Sequence, residues 1–183
     1  MNPDNTVIGL VRNKAATDKK LAEELGSPNN VHAFEADIID YNALKGVVEA
    51  VSEIAEGSLD YVIANAGPIA LWSQLNAVDV LAKDLEHLVK HLQDSFNVNV
   101  IGNSHLFNLF TPLVVKGQGK KVIAISSGMS DIDFIRQFES SQLLHTPTAK
   151  QAQAFLPLSS PLATQKEERV SVLEVSTVVL KES

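Results

Sequence analysis

Four short apolar runs recur along the chain with helical spacing between them, and this alternation constrains the fold more than any other feature. They are Thr6-Val7-Ile8-Gly9-Leu10-Val11, Val31-His32-Ala33-Phe34-Glu35-Ala36, Leu59-Asp60-Tyr61-Val62-Ile63-Ala64 and Lys121-Val122-Ile123-Ala124-Ile125. Near-continuous apolar runs mark strands buried on both faces, the condition inside a parallel sheet covered by helices. Residues 15–25 carry a helical pattern stopped by Gly26 and Pro28, and residues 41–55 a second one stopped by Gly57. Residues 80–115 carry a long third pattern, broken near its start. Strands and helices in this order predict an α/β fold with a doubly wound parallel sheet in a three-layer sandwich.

A ligand crevice in such a sheet lies beyond the carboxyl ends of the strands. Arg12, Asp37, Asn65 and Ser127 fall at those ends, and Asn65 leads into Ala66-Gly67-Pro68, where glycine and proline force a loop. Beyond Ile132 the pattern thins. Residues 142–154 have helical spacing, Pro157 and Pro161 interrupt the next stretch, and Val170-Ser171-Val172-Leu173-Glu174-Val175 reads as a last strand. No repeat, low-complexity tract or linker divides the 183 residues, so a single domain over 1–183 is expected.

Several function classes drop out on composition. The net charge of −7 and the scatter of Lys and Arg argue against a nucleic-acid surface, which needs clustered cations. With no cysteine there is no disulfide, thiolate nucleophile or Cys-based zinc site. Met1-Asn2-Pro3-Asp4-Asn5 has neither the cationic start nor the apolar stretch of a targeting segment, and no apolar run approaches the ~20 residues that span a bilayer. A cytoplasmic protein without membrane contact is the default expectation.

Ala36-Asp37-Ile38, Ala64-Asn65-Ala66-Gly67, Phe96-Asn97-Val98-Asn99, Ile125-Ser126-Ser127-Gly128 and Lys150 succeed one another along the chain. In that order and rough spacing they resemble the motifs of the short-chain dehydrogenase/reductase family, over residues 6–175. The resemblance implies a Rossmann-like domain that transfers hydride between NADP(H) and a small carbonyl or alcohol substrate. It implies that Ser127 polarises the substrate oxygen, that Lys150 binds the ribose, and that Asn99 organises water through a helix distortion. Arg12, Asp37, Ile38, Asn65, Gly67 and Lys150 would form the cofactor site, with no metal. Arg12 sits where NADP-preferring members keep a basic residue, and a guanidinium there suits a 2′-phosphate. Residues 7–12 and 99–110 further resemble reductases of fungal secondary-metabolite pathways.

Four features depart from the family pattern. The family's first strand and Gly-rich turn, which cradles the pyrophosphate, are missing ahead of Thr6. That strand should lie centrally, between the runs at Thr6 and Leu59, so its loss predicts a gap lined with unpaired backbone groups unless the neighbours close up or another chain fills it. Thr146 stands four residues before Lys150, where the family has a tyrosine. At that spacing on a helix a lysine lowers the phenol pKa so that it can exchange a proton, and threonine has no such acidity near neutral pH. Tyr41 and Tyr61, the two tyrosines of the chain, both precede the serine. Pro157 and Pro161 fall in the helix that should hold Lys150, and Val175-Ser176-Thr177-Val178 replaces the usual Pro-Gly beside the nicotinamide. The expected domain is therefore incomplete at both ends relative to the family.

Two other function readings compete with the first. One is a non-catalytic remnant, or a subunit that pairs with itself or with an intact homologue through residues 80–115. The other is a cofactor-free isomerase or dehydratase using Ser127 in the old crevice. His87 and His91 have a spacing that permits shared metal coordination, but no third ligand is evident, and a solvent-facing helix pair is the simpler reading. A hydrolase triad of Ser127, His145 and Asp131 lacks the Gly-x-Ser-x-Gly elbow. Leu106, Phe107, Leu109 and Phe110 form an apolar helix face that reads as core, with a partner chain as the alternative. Asp37 is also a candidate cap for the helix starting near Tyr41.

Overall fold

A computed structural model describes residues 5–68, 72 and 78–125, together with the backbone of 179–182. The four apolar runs form strands β1 (Asn5–Val11), β2 (Val31–Glu35), β3 (Tyr61–Ala64) and β4 (Lys121–Ala124). β1 pairs in parallel with β2, Val7 opposite Val31 through Val11 opposite Glu35, and β3 pairs in parallel with β4, Tyr61 opposite Lys121 through Ala64 opposite Ala124. These are the pairings expected of a doubly wound fold.

The centre of the sheet differs from the sequence expectation. The order is β2-β1-β5-β3-β4, and β5 (Val179–Glu182) runs antiparallel to both neighbours. Register places Leu180 opposite Val7 on one side and Tyr61 on the other, and Val179 between Ile8 and Val62. The gap predicted between the runs at Thr6 and Leu59 is thus spanned by residues 179–182 of the same chain. The physical demand is the one foreseen, since Ile8 and Val62 are buried strand positions whose backbone groups need partners. What the sequence expectation missed is the donor and its direction. The strand expected at residues 170–175 lies outside the described residues.

Helix α1 (Lys14–Leu25) starts at Asn13, whose side chain accepts from the Ala16 N–H at 2.9 Å, and ends at Gly26 in the left-handed region, φ 70°. It buries no residue and exposes i,i+4 Lys–Glu pairs, so it adds little core. Helix α2 (Tyr41–Ile54) buries Leu44 and Val51 on one stripe, each worth about 1.5–3 kcal/mol. Asp40 caps it, accepting from the Asn42 and Ala43 N–H groups at 2.9 and 3.0 Å. The capping role considered for Asp37 therefore belongs to Asp40. Asp37 instead closes the preceding turn, accepting from the Ile39 N–H at 3.1 Å.

The long helical pattern resolves into α3 (Val78–Leu81), α4 (Leu85–Phe96), a wide π-type turn (Asn97–Gly102) and α5 (Asn103–Val114). Leu106 and Phe110 of α5 are buried, Phe107 and Leu109 partly so, which supports the core reading of that face. Two compact units result, one holding 5–65, 105–125 and 179–182, the other holding 66–104 among the described residues. None of the described helices is long and apolar enough to cross a membrane.

Candidate active site

Because β1 and β3 both run antiparallel to β5, they are parallel to each other, and all four outer strands point their carboxyl ends to one edge. Arg12, Asp37 and Asn65 leave that edge from β1, β2 and β3. Arg12 is exposed, one residue ahead of the α1 cap, and takes part in none of the described ion pairs. Next to it the Lys14 N–H at the helix start donates to Glu35 Oε2 at 2.9 Å, so the amino end of α1 already attracts a carboxylate. Asp37 is half-buried, Ile38 is buried, and Asn65 is exposed. His105 of α5 anchors this corner. Its Nδ1 lies 3.3 Å from the Ile38 carbonyl and its ring meets Tyr41 edge-on at 5.2 Å.

After two neighbouring strands, the exposed guanidinium of Arg12 and the half-buried Asp37 with the buried Ile38 share one sheet edge, and these are residue types that suit the adenosine end of a dinucleotide. The pyrophosphate end is different. β5 runs against its neighbours, so its carboxyl end lies at the opposite edge from Arg12 and Asn65. A strand in that direction presents no following helix N-terminus to the crevice.

Asn99 lies in the second unit, in the wide turn, and is 1% exposed. Among the described residues, both atoms of its side-chain amide lack a hydrogen-bond partner, as does Asn103 Oδ1. Such buried orphans are rare, and each costs about 1–3 kcal/mol unless something fills the need. The helix distortion foreseen at Asn99 is present. Asn103 Nδ2 donates to the Asn99 carbonyl at 2.8 Å, and Ser104 Oγ donates to the Val100 carbonyl at 2.8 Å. Neither residue was singled out from the sequence, although the i,i+4 spacing of Asn99 and Asn103 is the spacing at which side chains bond back to the helix.

Gly67 is exposed, also in the second unit. His87 and His91 are not simply solvent-facing: His91 is buried, and Trp72 stacks on His87 at 4.0 Å and meets His91 edge-on at 6.1 Å. That contact was illegible because Trp72 is far from the helical pattern. Ser127, Lys150, Thr146, His145 and Asp131 lie outside the described residues.

Comparison with known proteins decides the lineage. Residues 1–138 match the model of the short chain dehydrogenase family. The chain belongs to that family. It is 47% identical over 138 residues to the short chain dehydrogenase virK of Hypocrea virens, covering 75% of this chain and 51% of that one. It is 43% identical over 135 residues to the short-chain dehydrogenase/reductase iacC of Pestalotiopsis fici, covering 73% and 50%. The chain therefore spans about half the length of these relatives. Among solved structures it is similar in fold to the NADPH-bound carbonyl reductase from chicken fatty liver, with TM-score 0.64, 21% identity and coverage of 85% and 59%. The short chain dehydrogenase from Shigella flexneri gives TM-score 0.66 at 20% identity, covering 92% and 61%. These likenesses establish a Rossmann-like α/β fold.

Proposed function

We propose that the chain is an oxidoreductase of a small carbonyl or alcohol substrate that works with NADP(H) in fungal secondary metabolism, in the cytoplasm. Bound nicotinamide would supply the hydride. Arg12 pairs with the 2′-phosphate, Asp37 and Ile38 meet the adenine, and Asn65, Gly67 and Lys150 hold the ribose side. Ser127 hydrogen-bonds the reacting oxygen, and Asn99 orders the water beside it. The observation that carries this reading is Arg12, an exposed cation with no ion-pair partner among the described residues, at the carboxyl edge where a family member binds its cofactor. Fluorescence titration tests it. NADPH should bind in the micromolar range and more tightly than NADH. Arg12→Glu should weaken NADPH by about 10- to 100-fold, as expected for loss of a charged hydrogen bond worth roughly 1.5–3 kcal/mol, while leaving NADH nearly unchanged. Equal binding of the two cofactors, or none up to millimolar, rejects the NADP(H) reading.

A second reading is a partner subunit without turnover of its own. Leu85, Val89, Leu92 and Phe96 form an exposed apolar stripe along α4, 64%, 43%, 39% and 45% exposed, at the i, i+4, i+7, i+11 positions of one helix face. A stripe of that kind fits a second helix of this chain or of an intact homologue. Thr146, in the place of the family's tyrosine, favours the same reading. Sedimentation with and without the homologue separates the two: a chain that is monomeric alone and also beside its homologue leaves the stripe without this role.

A further inference from the structure

We propose that Asn103 and Ser104 are the positioning residues that keep the helix open at Asn99. The proposal rests on the reading of Asn99 as the residue that orders water, but its geometry stands apart from that role. In the segment Asn97–Gly102 the helix widens to the π register, which takes in one more residue per turn than an α-helix. Something must hold that extra residue, since the α register has the better ladder and the chain would relax into it. The two carbonyls in the middle of the wide turn, Asn99 and Val100, are both reached by side chains four residues on, Asn103 Nδ2 and Ser104 Oγ, each at 2.8 Å. The Asn103 N–H meanwhile reaches back only three residues, to Val100. Back-bonding of this kind competes with the ladder and bends helices.

Asn103 is 1% exposed and its Oδ1 is unpartnered among the described residues, so the amide is buried for the bond its nitrogen makes. Buried as they are, Asn99 and Asn103 have no bulk water to replace a lost partner. Relaxing the wide turn to α would shift the register by one residue and rotate Asn99 by about 100° relative to the preceding turn. Its amide would then leave the place where both of its polar atoms now stand ready for a ligand or water.

The test compares two full-length variants. Asn103→Leu keeps the branched side-chain skeleton and removes the donor; Asn103→Ser restores a hydroxyl that can bond back as Ser104 does. Crystal structures should show regular i→i+4 bonding through 97–104 in the leucine variant and the wide turn retained in the serine variant. If leucine prevents folding, Asn103→Ala serves with the same expectation. A wide turn that survives without the donor, or is lost with serine, overturns the proposal. Kinetics give the second readout: carbonyl reduction should lose at least about tenfold in kcat with the NADPH KM unchanged in the leucine variant, and return to within about twofold with serine. If the parent protein reduces no carbonyl, the proposed function fails, and the crystal structures still decide the role of Asn103.

Discussion

The centre of the sheet and the wide turn at Asn99 both replace regular pairing with something else, and they do so over opposite distances in the chain. At the sheet centre, Asn5 pairs with Glu182 and Tyr61 with Leu180. At the wide turn, the substitutes come from four residues away. The first solution places a large backbone demand on a short segment, whereas the second uses two side chains to move one residue. A fold that tolerates both keeps its carboxyl strand edge on the outer strand pairs, β1 with β2 and β3 with β4, whose parallel registers are continuous to the ends where Arg12, Asp37 and Asn65 emerge.

The distant solution should be the more fragile. Leu180→Pro removes an N–H from a strand paired on both sides, and proline is confined to edges and bulges for that reason. A loss of about 3 kcal/mol or more is expected, by analogy with proline in a helix interior. In a chain of this size that lowers the melting temperature by roughly 6–12 °C. An unchanged thermal melt would show that β5 is not what closes the sheet.

A second long-range contact gives a smaller effect of the same kind. Gly117, in the turn before β4, sits so close to the loop before β3 that an added Cβ would lie 2.0 Å from the Leu59 carbonyl oxygen. Since that neighbour is backbone, Gly117→Ala has to displace one segment or the other, at an expected cost of about 1–3 kcal/mol, read from urea denaturation. Asp60 shares this junction. It is buried and accepts the Gln118 and Gly119 N–H groups at 2.6 and 2.9 Å, so the β3–β4 pair is tied at its entry by a side chain as well as by its ladder.

The same distinction explains what the sequence disclosed. β1 to β4 are legible because an apolar run needs only its own residues to declare that it is buried on both faces. The stops at Gly26 and Gly57 are legible because both adopt positive φ, 70° and 80°, which glycine alone accepts freely. β5 was not legible: four residues with a lysine and a glutamate declare neither a partner nor a direction, and both are set by edges formed by distant parts of the chain. At the site, Arg12, Asp37 and Asn65 could be placed from the rule that ligands gather at carboxyl strand ends. The distortion at Asn99 came only from family resemblance, and the stacking of Trp72 on His87 depends on tertiary packing between segments with no common pattern. Local devices such as the Asn103 back-bond were readable in principle, since donor and acceptor lie within one turn.

A local device elsewhere in the molecule calibrates the comparison from below. Asp40 caps α2 by accepting two N–H groups in the first turn of a helix that buries Leu44 and Val51. Asp40→Ala should cost about 1 kcal/mol, the typical value for a lost N-cap, because water reaches the exposed helix start and replaces part of what the carboxylate supplied. The packing of Leu44 and Val51 does not depend on the cap, so the helix should persist, with faster amide exchange confined to its first turn. If Asp40→Ala instead matched Leu180→Pro in its effect on the melt, sequence distance would not be what separates strong from weak supports in this fold. The expected order is the reverse: exposed local caps trim stability, while strand pairings between distant parts of the chain decide whether the sheet forms.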